Sequence, residues 1–314
     1  MIVCVAANPS IDKLFEVERL HIGAIHRPRS FTQVPGGKGL NCARAAAALG
    51  AEVTASGILA GHTGRWIGEA LAAEGVRGRF VWAEGESRAC LSVASAAEGG
   101  LLTEFYERGP DVGPGVWGRL EELLGEIVSD ASWTTISGSL PHGVAADGYL
   151  RLADIAGEHG VRVAIDAEPD ALTHALKAQP AIVKVNADEA SAFLGSPVGT
   201  EAEAAAAARE VRARMAFPDA IAIVTRGVEG ALVCRSADEV MRARLYARGP
   251  YPVGSGDAFL AGLATALGRD EGWEAALRLA LGAAAANAER PGAGRLDANR
   301  AIELARRAVI DPVD

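Results

Sequence analysis

Residues 252–262 read Pro-Val-Gly-Ser-Gly-Asp-Ala-Phe-Leu-Ala-Gly and place three glycines and one carboxylate where a loop turns into a helix. Gly254 and Gly256 allow a tight turn and a close backbone approach that a bulky side chain would block. The first N–H groups of the following helix are unpaired and electropositive, so this end attracts phosphate oxygens. Asp257 would repel a phosphate, but it is well placed to accept a proton from a hydroxyl that attacks one. The run predicts a phosphate-transfer site, although an ordinary N-capping aspartate after a glycine-rich turn would give the same pattern.

A second glycine cluster, Gly-Gly-Lys-Gly-Leu-Asn at residues 36–41, opens the first long predicted helix. It is either a simple turn before a helix or a second binding loop. It is not a Walker A loop, because its Gly-Lys pair is followed by Gly39 where that motif has serine or threonine. The first strand leads into Asn-Pro-Ser-Ile-Asp at residues 8–12, so the Gly-x-Gly-x-x-Gly turn of dinucleotide-binding folds is missing as well.

Apolar β-branched runs alternate with longer Ala- and Leu-rich periodic segments, a pattern typical of a parallel sheet with crossover helices. Four predicted strands end on a polar residue. Because ligands of open α/β sheets gather beyond the carboxyl ends of the strands, we expect these four ends to face one cleft. They are Ser137, Asp166, Asn186 and Thr225. The predicted strands are 2–6, 53–58, 133–137, 161–166, 182–186 and 221–225, and the predicted helices are 39–49, 63–74, 116–129, 144–159, 201–215, 257–267, 273–288 and 296–308.

Two segments, residues 13–34 and 88–109, break this alternation and contain short alternating stretches typical of a small separate sheet. We therefore predict an α/β fold: a doubly wound, mainly parallel sheet with helices on both faces, plus a small β lid. The lid is formed by these two insertions into a single domain that spans residues 1–314. Exposed edges of lid strands favour pairing with another copy, which makes a homodimer through the lid a hypothesis.

The composition of the chain argues against several classes of binding partner. The 314 residues carry a net charge of −9, which argues against a nucleic-acid partner because phosphate backbones demand a basic surface. No apolar run is long enough to span a bilayer and no leader pattern is visible, so we expect a cytoplasmic protein without a membrane partner. The four scattered cysteines suggest neither disulfides nor a zinc site. Only four lysines occur, so Lys38 and Lys184 are candidates for roles that arginine cannot fill.

Taken together, these motifs resemble the PfkB/ribokinase family of sugar kinases over essentially the full length, and within it the 1-phosphofructokinase and tagatose-6-phosphate kinase group. The resemblance implies a ribokinase-like fold and an ATP- and Mg²⁺-dependent phosphotransferase that acts on an alcohol group. Six elements occur in the order expected for the family. They are residues 8–12, 36–41, Ser-Gly-Ser-Leu-Pro at 137–141, Asn-Ala-Asp-Glu at 186–189, Thr-Arg-Gly-Val-Glu-Gly at 225–230, and Gly-Ser-Gly-Asp at 254–257.

The resemblance also implies roles for single residues. Asp257 would be the base, and the backbone N–H groups of Gly254, Ser255 and Gly256 would stabilise the transferring phosphoryl group. Asn186 and Glu189 would hold Mg²⁺ largely through water, and their alternative role is helix capping. The substrate-binding candidates are Asp12, Gly37, Lys38, Asn41, Arg88, Arg27 and Ser137. The nucleotide-binding candidates are Lys184, Asn186, Thr225, Gly227, Gly230 and Asn287, the last of which could equally be a polar residue on an Ala-rich helix.

Substrate choice depends on cations that could bind a second phosphate. Arg88 is the first candidate, because residues 88–93 resemble the lid strand of tagatose-6-phosphate and fructose-phosphate kinases. Arg27 could contribute or could be a solvated surface charge. The expected substrate is a ketohexose phosphate: tagatose 6-phosphate, fructose 6-phosphate or fructose 1-phosphate. Residues 105–110, Phe-Tyr-Glu-Arg-Gly-Pro, depart from the group's usual Asn-Glu-Pro-Gly-Pro-like run. A kinase of a free sugar or nucleoside is the alternative, and a non-catalytic sugar- or nucleotide-binding regulator is the third hypothesis.

Overall fold

The computed structural model describes residues 1–236 and 239–313. In this part of the chain, a ten-stranded sheet carries helices on both faces, and a four-stranded sheet stands apart from it. The strands are β1 Ile2–Ala6, β2 Ser10–Val17, β3 Ser30–Gly36, β4 Val53–Ala60, β5 Arg77–Ala83, β6 Arg88–Ser95, β7 Leu101–Tyr106, β8 Trp133–Gly138, β9 Arg162–Ala167, β10 Ile182–Asn186, β11 Ile221–Thr225, β12 Ala231–Ser236, β13 Glu239–Arg244 and β14 Val309–Pro312. The α-helices are α1 Lys38–Ala48, α2 Gly61–Ala73, α3 Pro114–Val128, α4 Gly148–Glu158, α5 Pro169–Ala175, α6 Ala187–Leu194, α7 Glu201–Ala213, α8 Ser255–Leu267, α9 Trp273–Ala288 and α10 Ala298–Ala305.

The large sheet has the strand order β14-β13-β12-β11-β10-β9-β8-β1-β4-β5. Neighbours from β5 to β11 are parallel, whereas β12, β13 and β14 pair antiparallel at one edge. After β1 the chain builds β4 on one side and later β8 on the other. The order therefore reverses at β1, and a ligand crevice is expected beyond the carboxyl ends of the strands beside it.

Strand β1 shows why the sheet carries two layers of helices. Side chains alternate along a strand, so Ile2 and Cys4 join the apolar cluster of α1, α8 and α9, while Val3 and Val5 join the cluster of α3 and α4 on the opposite face. All five residues of β1 are buried. A strand buried on both faces reads as a continuous apolar run, which is the pattern that predicted it.

The four-stranded sheet, called the lid sheet below, has the order β3-β2-β6-β7. Its β2–β3 and β6–β7 pairs are antiparallel, and β2 pairs with β6 in parallel. The two insertions predicted at 13–34 and 88–109 supply these strands, which confirms a small β lid. The first of them starts at Ser10, so the motif at residues 8–12 runs directly from β1 into the lid sheet.

Several helices and strands of the structure differ from the sequence prediction. The helix expected at 296–308 ends at Ala305, and β14 follows it. The antiparallel edge β12–β14, strand β5 and the short helices α5 and α6 were not predicted. These elements are short, and β13 and β14 carry charged residues, so their apolar period is weak. Among the helices described, none has both the length and the apolar character needed to cross a membrane.

Candidate active site

A cleft of about 530 Å³ opens at the carboxyl ends of the parallel strands. Four polar strand ends predicted to share one cleft all line it: Ser137, Asp166, Asn186 and Thr225. The lid sheet closes one side, and the loop that leads into α8 closes another. The cleft also contains Gly37, Lys38, Asn41, Arg88, Lys184, Glu189, Gly227, Gly230 and Gly254–Asp257.

The N-terminus of α8 points into this cleft. Gly254, the N-cap, has φ +81°, and a Cβ at this position would lie 2.6 Å from the Cβ of Ala293, so both conformation and space require glycine. One detail corrects the predicted set of donors. The backbone N–H of Ser255 donates to the carbonyl of Pro252 at 3.1 Å and closes the turn, so it is not free to bind a phosphoryl oxygen.

Asp257 lies in the first turn of α8 and is only 7% exposed. Its Oδ2 accepts a hydrogen bond of 2.9 Å from Nδ2 of Asn41. Burial, and then the nearby charge of Asp166, raise the pKa of Asp257 to about 7, although Lys38, Lys184 and the Asn41 hydrogen bond oppose the rise. A carboxylate with this pKa is matched to taking a proton at neutral pH.

Two lysines and two carboxylates surround this base. Asp166, 1% exposed, pairs through Oδ1 with Lys38 Nζ at 2.8 Å and through Oδ2 with Lys184 Nζ at 2.7 Å. Burial alone would raise the pKa of Asp166, but Lys184 and Lys38 lower it to about 2. Burial opposes the charged form of Lys38 as well, yet Asp166 and Glu189 raise its pKa. The network holds Lys38 charged and places both lysines beside Asp257.

Lys184 lies next to the glycine-rich turn, because a Cβ added to Gly256 would be 3.3 Å from its Nζ. Its ammonium group therefore adds positive charge beneath the N-terminus of α8. Asp166 was not among the site residues named from the sequence. The only signal for it was its place as a polar end of a buried strand, and that signal could not reveal the two ion pairs.

Asn186 and Glu189 form a capping box at the start of α6. The Glu189 N–H donates to Asn186 Oδ1 at 2.8 Å, and the Asn186 N–H donates to Glu189 Oε2 at 2.8 Å. Glu189 Oε1 also accepts from Lys38 at 2.5 Å. Within residues 1–236 and 239–313, no group of three or more His, Cys, Asp or Glu side chains is arranged to hold a metal directly. These carboxylate and amide oxygens are the ligand type that suits Mg²⁺ bound through water.

The lid side of the cleft carries Asp12 and Arg88. Asp12 Oδ1 accepts from Ser10 Oγ at 2.6 Å, and burial raises the pKa of Asp12. Arg88 Nε donates to the carbonyl of Asn8 at 3.2 Å, while its guanidinium lines the cleft. Arg27 is different: it is exposed on the loop between β2 and β3 and does not line the cleft, so the prediction that it binds substrate is not supported.

Thr225, Gly227 and Gly230 form the opposite side of the cleft, where a nucleotide was expected. Asn287 does not reach it. This residue is 0% exposed, and its side-chain amide bonds the loop before α8 and the backbone of Gly294. Its predicted contact with the nucleotide is therefore replaced by a contact within the protein. The sequence alone could not distinguish a nucleotide contact of Asn287 from a contact within the protein, because either one needs an amide at this position of the helix.

Known proteins resolve the class of this site. A model of pfkB family carbohydrate kinases matches residues 2–299. This chain belongs to the pfkB family. It is therefore a carbohydrate kinase, as the resemblance of the six motifs to this family implied. Among its relatives, the tagatose-6-phosphate kinase of Staphylococcus epidermidis is 27% identical over 310 residues, which cover 97% of each protein.

Solved structures agree with the family. Phosphofructokinase-2 from Escherichia coli in complex with substrates and products is 27% identical, covers 98% of both chains and superposes with a TM-score of 0.88. Ribokinase from Arabidopsis thaliana, complexed with ribose and ATP, is 21% identical, covers 97% of this chain and 98% of its own, and has a TM-score of 0.78. The second likeness concerns the fold alone. Together they confirm the ribokinase-like fold of this pfkB chain.

Proposed function

We propose that this pfkB kinase transfers the terminal phosphoryl group of ATP to a hydroxyl of a ketohexose phosphate and so yields a bisphosphate. The observation that carries the proposal is Asp257, a buried carboxylate with a pKa of about 7 at a helix N-terminus, inside the cleft of the sheet. Base and anion-binding groups within one turn of α8 suit phosphoryl transfer, in which positioning and electrostatics dominate.

In the proposed reaction, the acceptor hydroxyl forms a bond to phosphorus while the bond from phosphorus to the leaving oxygen of ADP breaks. Asp257 takes the proton that the hydroxyl loses, and Asn41 holds Asp257 Oδ2 so that the other oxygen can face the acceptor. The N-terminus of α8 and the ammonium of Lys184 stabilise the negative charge that develops. Magnesium, held through water near Asn186 and Glu189, would neutralise phosphate charge. Thr225, Gly227 and Gly230 border the proposed nucleotide site.

The substrate class rests on Arg88. Its guanidinium lines the cleft beside Asp12, where it could bind the non-reacting phosphate of a sugar. The names of the similar proteins, tagatose-6-phosphate kinase and phosphofructokinase-2, point the same way. One observation favours the alternative of a free sugar or nucleoside. Lys38 is already paired with two carboxylates, so it offers little net charge to a second phosphate.

We also propose that residues 1–314 act as one ribokinase-like domain and that the lid sheet forms a homodimer interface. Strand register places Phe31 and Phe105 on one lid face, opposite to the face that carries Asp12. Their exposed fractions are 63% and 57%. An apolar outer face with open edges suits a second copy. Sedimentation velocity at micromolar concentration tests this, and a purely monomeric species contradicts it.

An ADP-release assay across fructose 1-phosphate, fructose 6-phosphate, tagatose 6-phosphate, ribose and adenosine tests the proposed function. We expect kcat/KM to be highest for one of the three phosphosugars. A preference for ribose or adenosine would select the alternative. Binding of ATP without turnover of any acceptor would favour the non-catalytic regulator.

A further inference from the structure

The Ser255 side chain stands at the first turn of α8 and lines the cleft. Its backbone N–H is consumed by the bond to Pro252. One of the three backbone donors expected at this helix N-terminus is thus missing. Any donor that Ser255 supplies to a phosphoryl group must come from its hydroxyl.

The direction of that hydroxyl is set by Asn287. This fully buried amide accepts from the Gly294 N–H at 2.8 Å, and its Nδ2 donates to the carbonyl of Val253 at 2.9 Å. An N–H faces one end of the amide and a carbonyl faces the other, so the two ends cannot be exchanged. The second hydrogen of Nδ2 points to Ser255 Oγ at 3.2 Å.

A serine hydroxyl has one proton to donate and two lone pairs to accept with. Because Nδ2 of Asn287 has no lone pair to offer, Ser255 Oγ is the acceptor in that bond and must direct its own proton elsewhere. Within residues 1–236 and 239–313, the one hydrogen bond of Ser255 Oγ is the bond that it accepts from Asn287. Because Ser255 lines the cleft, the open direction for this proton is toward a ligand.

We propose that the Ser255 hydroxyl donates a hydrogen bond to the transferring phosphoryl group, and that Asn287 is the positioning residue that orients it. The inference rests on the proposed phosphoryl transfer and adds a side-chain donor to it. The backbone N–H of Ser255 is used by the turn, and the Ser255 hydroxyl takes its place as a donor to the phosphoryl group.

Three variants separate this role from a structural one. Removing one donor of this kind typically lowers kcat on the order of 10²-fold, so we expect Ser255→Ala to lower kcat about 10- to 100-fold, with both KM values within about twofold of wild type. Ser255→Thr, which keeps a hydroxyl, should recover most of the loss. Thr265→Val removes a hydroxyl from the same helix outside the cleft and should leave kcat unchanged.

A second readout does not depend on the acceptor. Calorimetry with ADP plus aluminium fluoride, a mimic of the transferring phosphoryl group, should show at least about tenfold weaker binding for Ser255→Ala, with ADP alone unchanged. Equal kcat and equal binding of the mimic in Ser255→Ala and wild type overturn the proposal. If wild type turns over no acceptor, the proposed function fails, and binding of the mimic still decides the role of Ser255.

The role of Asn287 is tested by a double-mutant cycle. Asn287→Asp keeps an acceptor for Gly294 but loses both donated bonds, and we expect its kcat to fall by a factor similar to that of Ser255→Ala. If Asn287 acts through Ser255, the same change in the Ser255→Ala background should lower kcat less than about threefold. Fully additive losses contradict positioning. If thermal melting shows that Asn287→Asp is unfolded, the neutral Asn287→Ser takes its place in the cycle.

Discussion

Removing the hydrogen bond from Asn41 to Asp257 should change the pH at which this kinase works. Asn41 and Asp257 are both buried, and Nδ2 donates to Oδ2 at 2.9 Å. This bond stabilises the ionised carboxylate and so opposes the rise of the pKa of Asp257. Hydrogen bonds to charged groups contribute about 1.5–3 kcal/mol, and 1.36 kcal/mol corresponds to about one pKa unit. In Asn41→Leu the pKa should therefore rise from about 7 to about 8–9.

Only the deprotonated base accepts a proton, so kcat/KM should rise with pH through the pKa of Asp257 and level off above it. At pH 7 about half of the wild-type base is ionised, against roughly 1–10% in Asn41→Leu, which predicts about 5- to 50-fold lower kcat/KM. The assay is kcat/KM for the preferred acceptor from pH 5 to 10, with Asn299→Leu, at an exposed position of α10, as control. An acid limb at the same pH in Asn41→Leu and wild type refutes the reasoning, even if the plateau falls.

Three further changes test other parts of the site. Asp166→Asn leaves the buried Lys184 without its charged partner, so we expect the free energy of unfolding in urea titrations to fall by about 3–5 kcal/mol. The control, Glu126→Gln in an exposed ion pair, should lower it by less than about 1 kcal/mol. Similar losses in the two variants would contradict the ion-pair network around Asp166. Arg88→Ala should lower kcat/KM for the phosphosugar about 10- to 150-fold and leave free-sugar activity unchanged, so full phosphosugar activity rejects Arg88 as the phosphate ligand. Glu189→Gln should move the activity-versus-magnesium curve to higher concentration, and an unmoved curve leaves Glu189 as a helix cap.

The central sheet was predictable because its strands are marked by patterns of neighbouring residues in the sequence. Strand β1 is a continuous apolar run, and each predicted strand end that is polar lines the cleft. The glycine turns before α1 and α8 were also predictable, because a left-handed N-cap such as Gly254 needs glycine. The antiparallel edge was not, because its short strands carry charges and depend on pairing with distant residues.

The sequence predicted which residue types form the candidate site, but it could not predict where each side chain points. Asn287 faces a loop and Arg27 faces solvent, and neither fact follows from composition or spacing. The double pairing of Asp166 joins residues far apart in the chain, so no motif reports it. The use of the Ser255 N–H by Pro252 depends on the closure of one turn. Contacts between distant residues decide this for Asn287 and Asp166, and a local turn decides it for Ser255.

The most direct test of Asp257 as the base is the turnover of Asp257→Asn. The substitution keeps the size of the side chain and removes the base. We predict that kcat for the preferred acceptor falls on the order of 10²-fold or more, while calorimetric affinities for ATP and for the acceptor stay within a few-fold of wild type. Turnover near the wild-type rate with normal binding would contradict Asp257 as the residue that takes the proton.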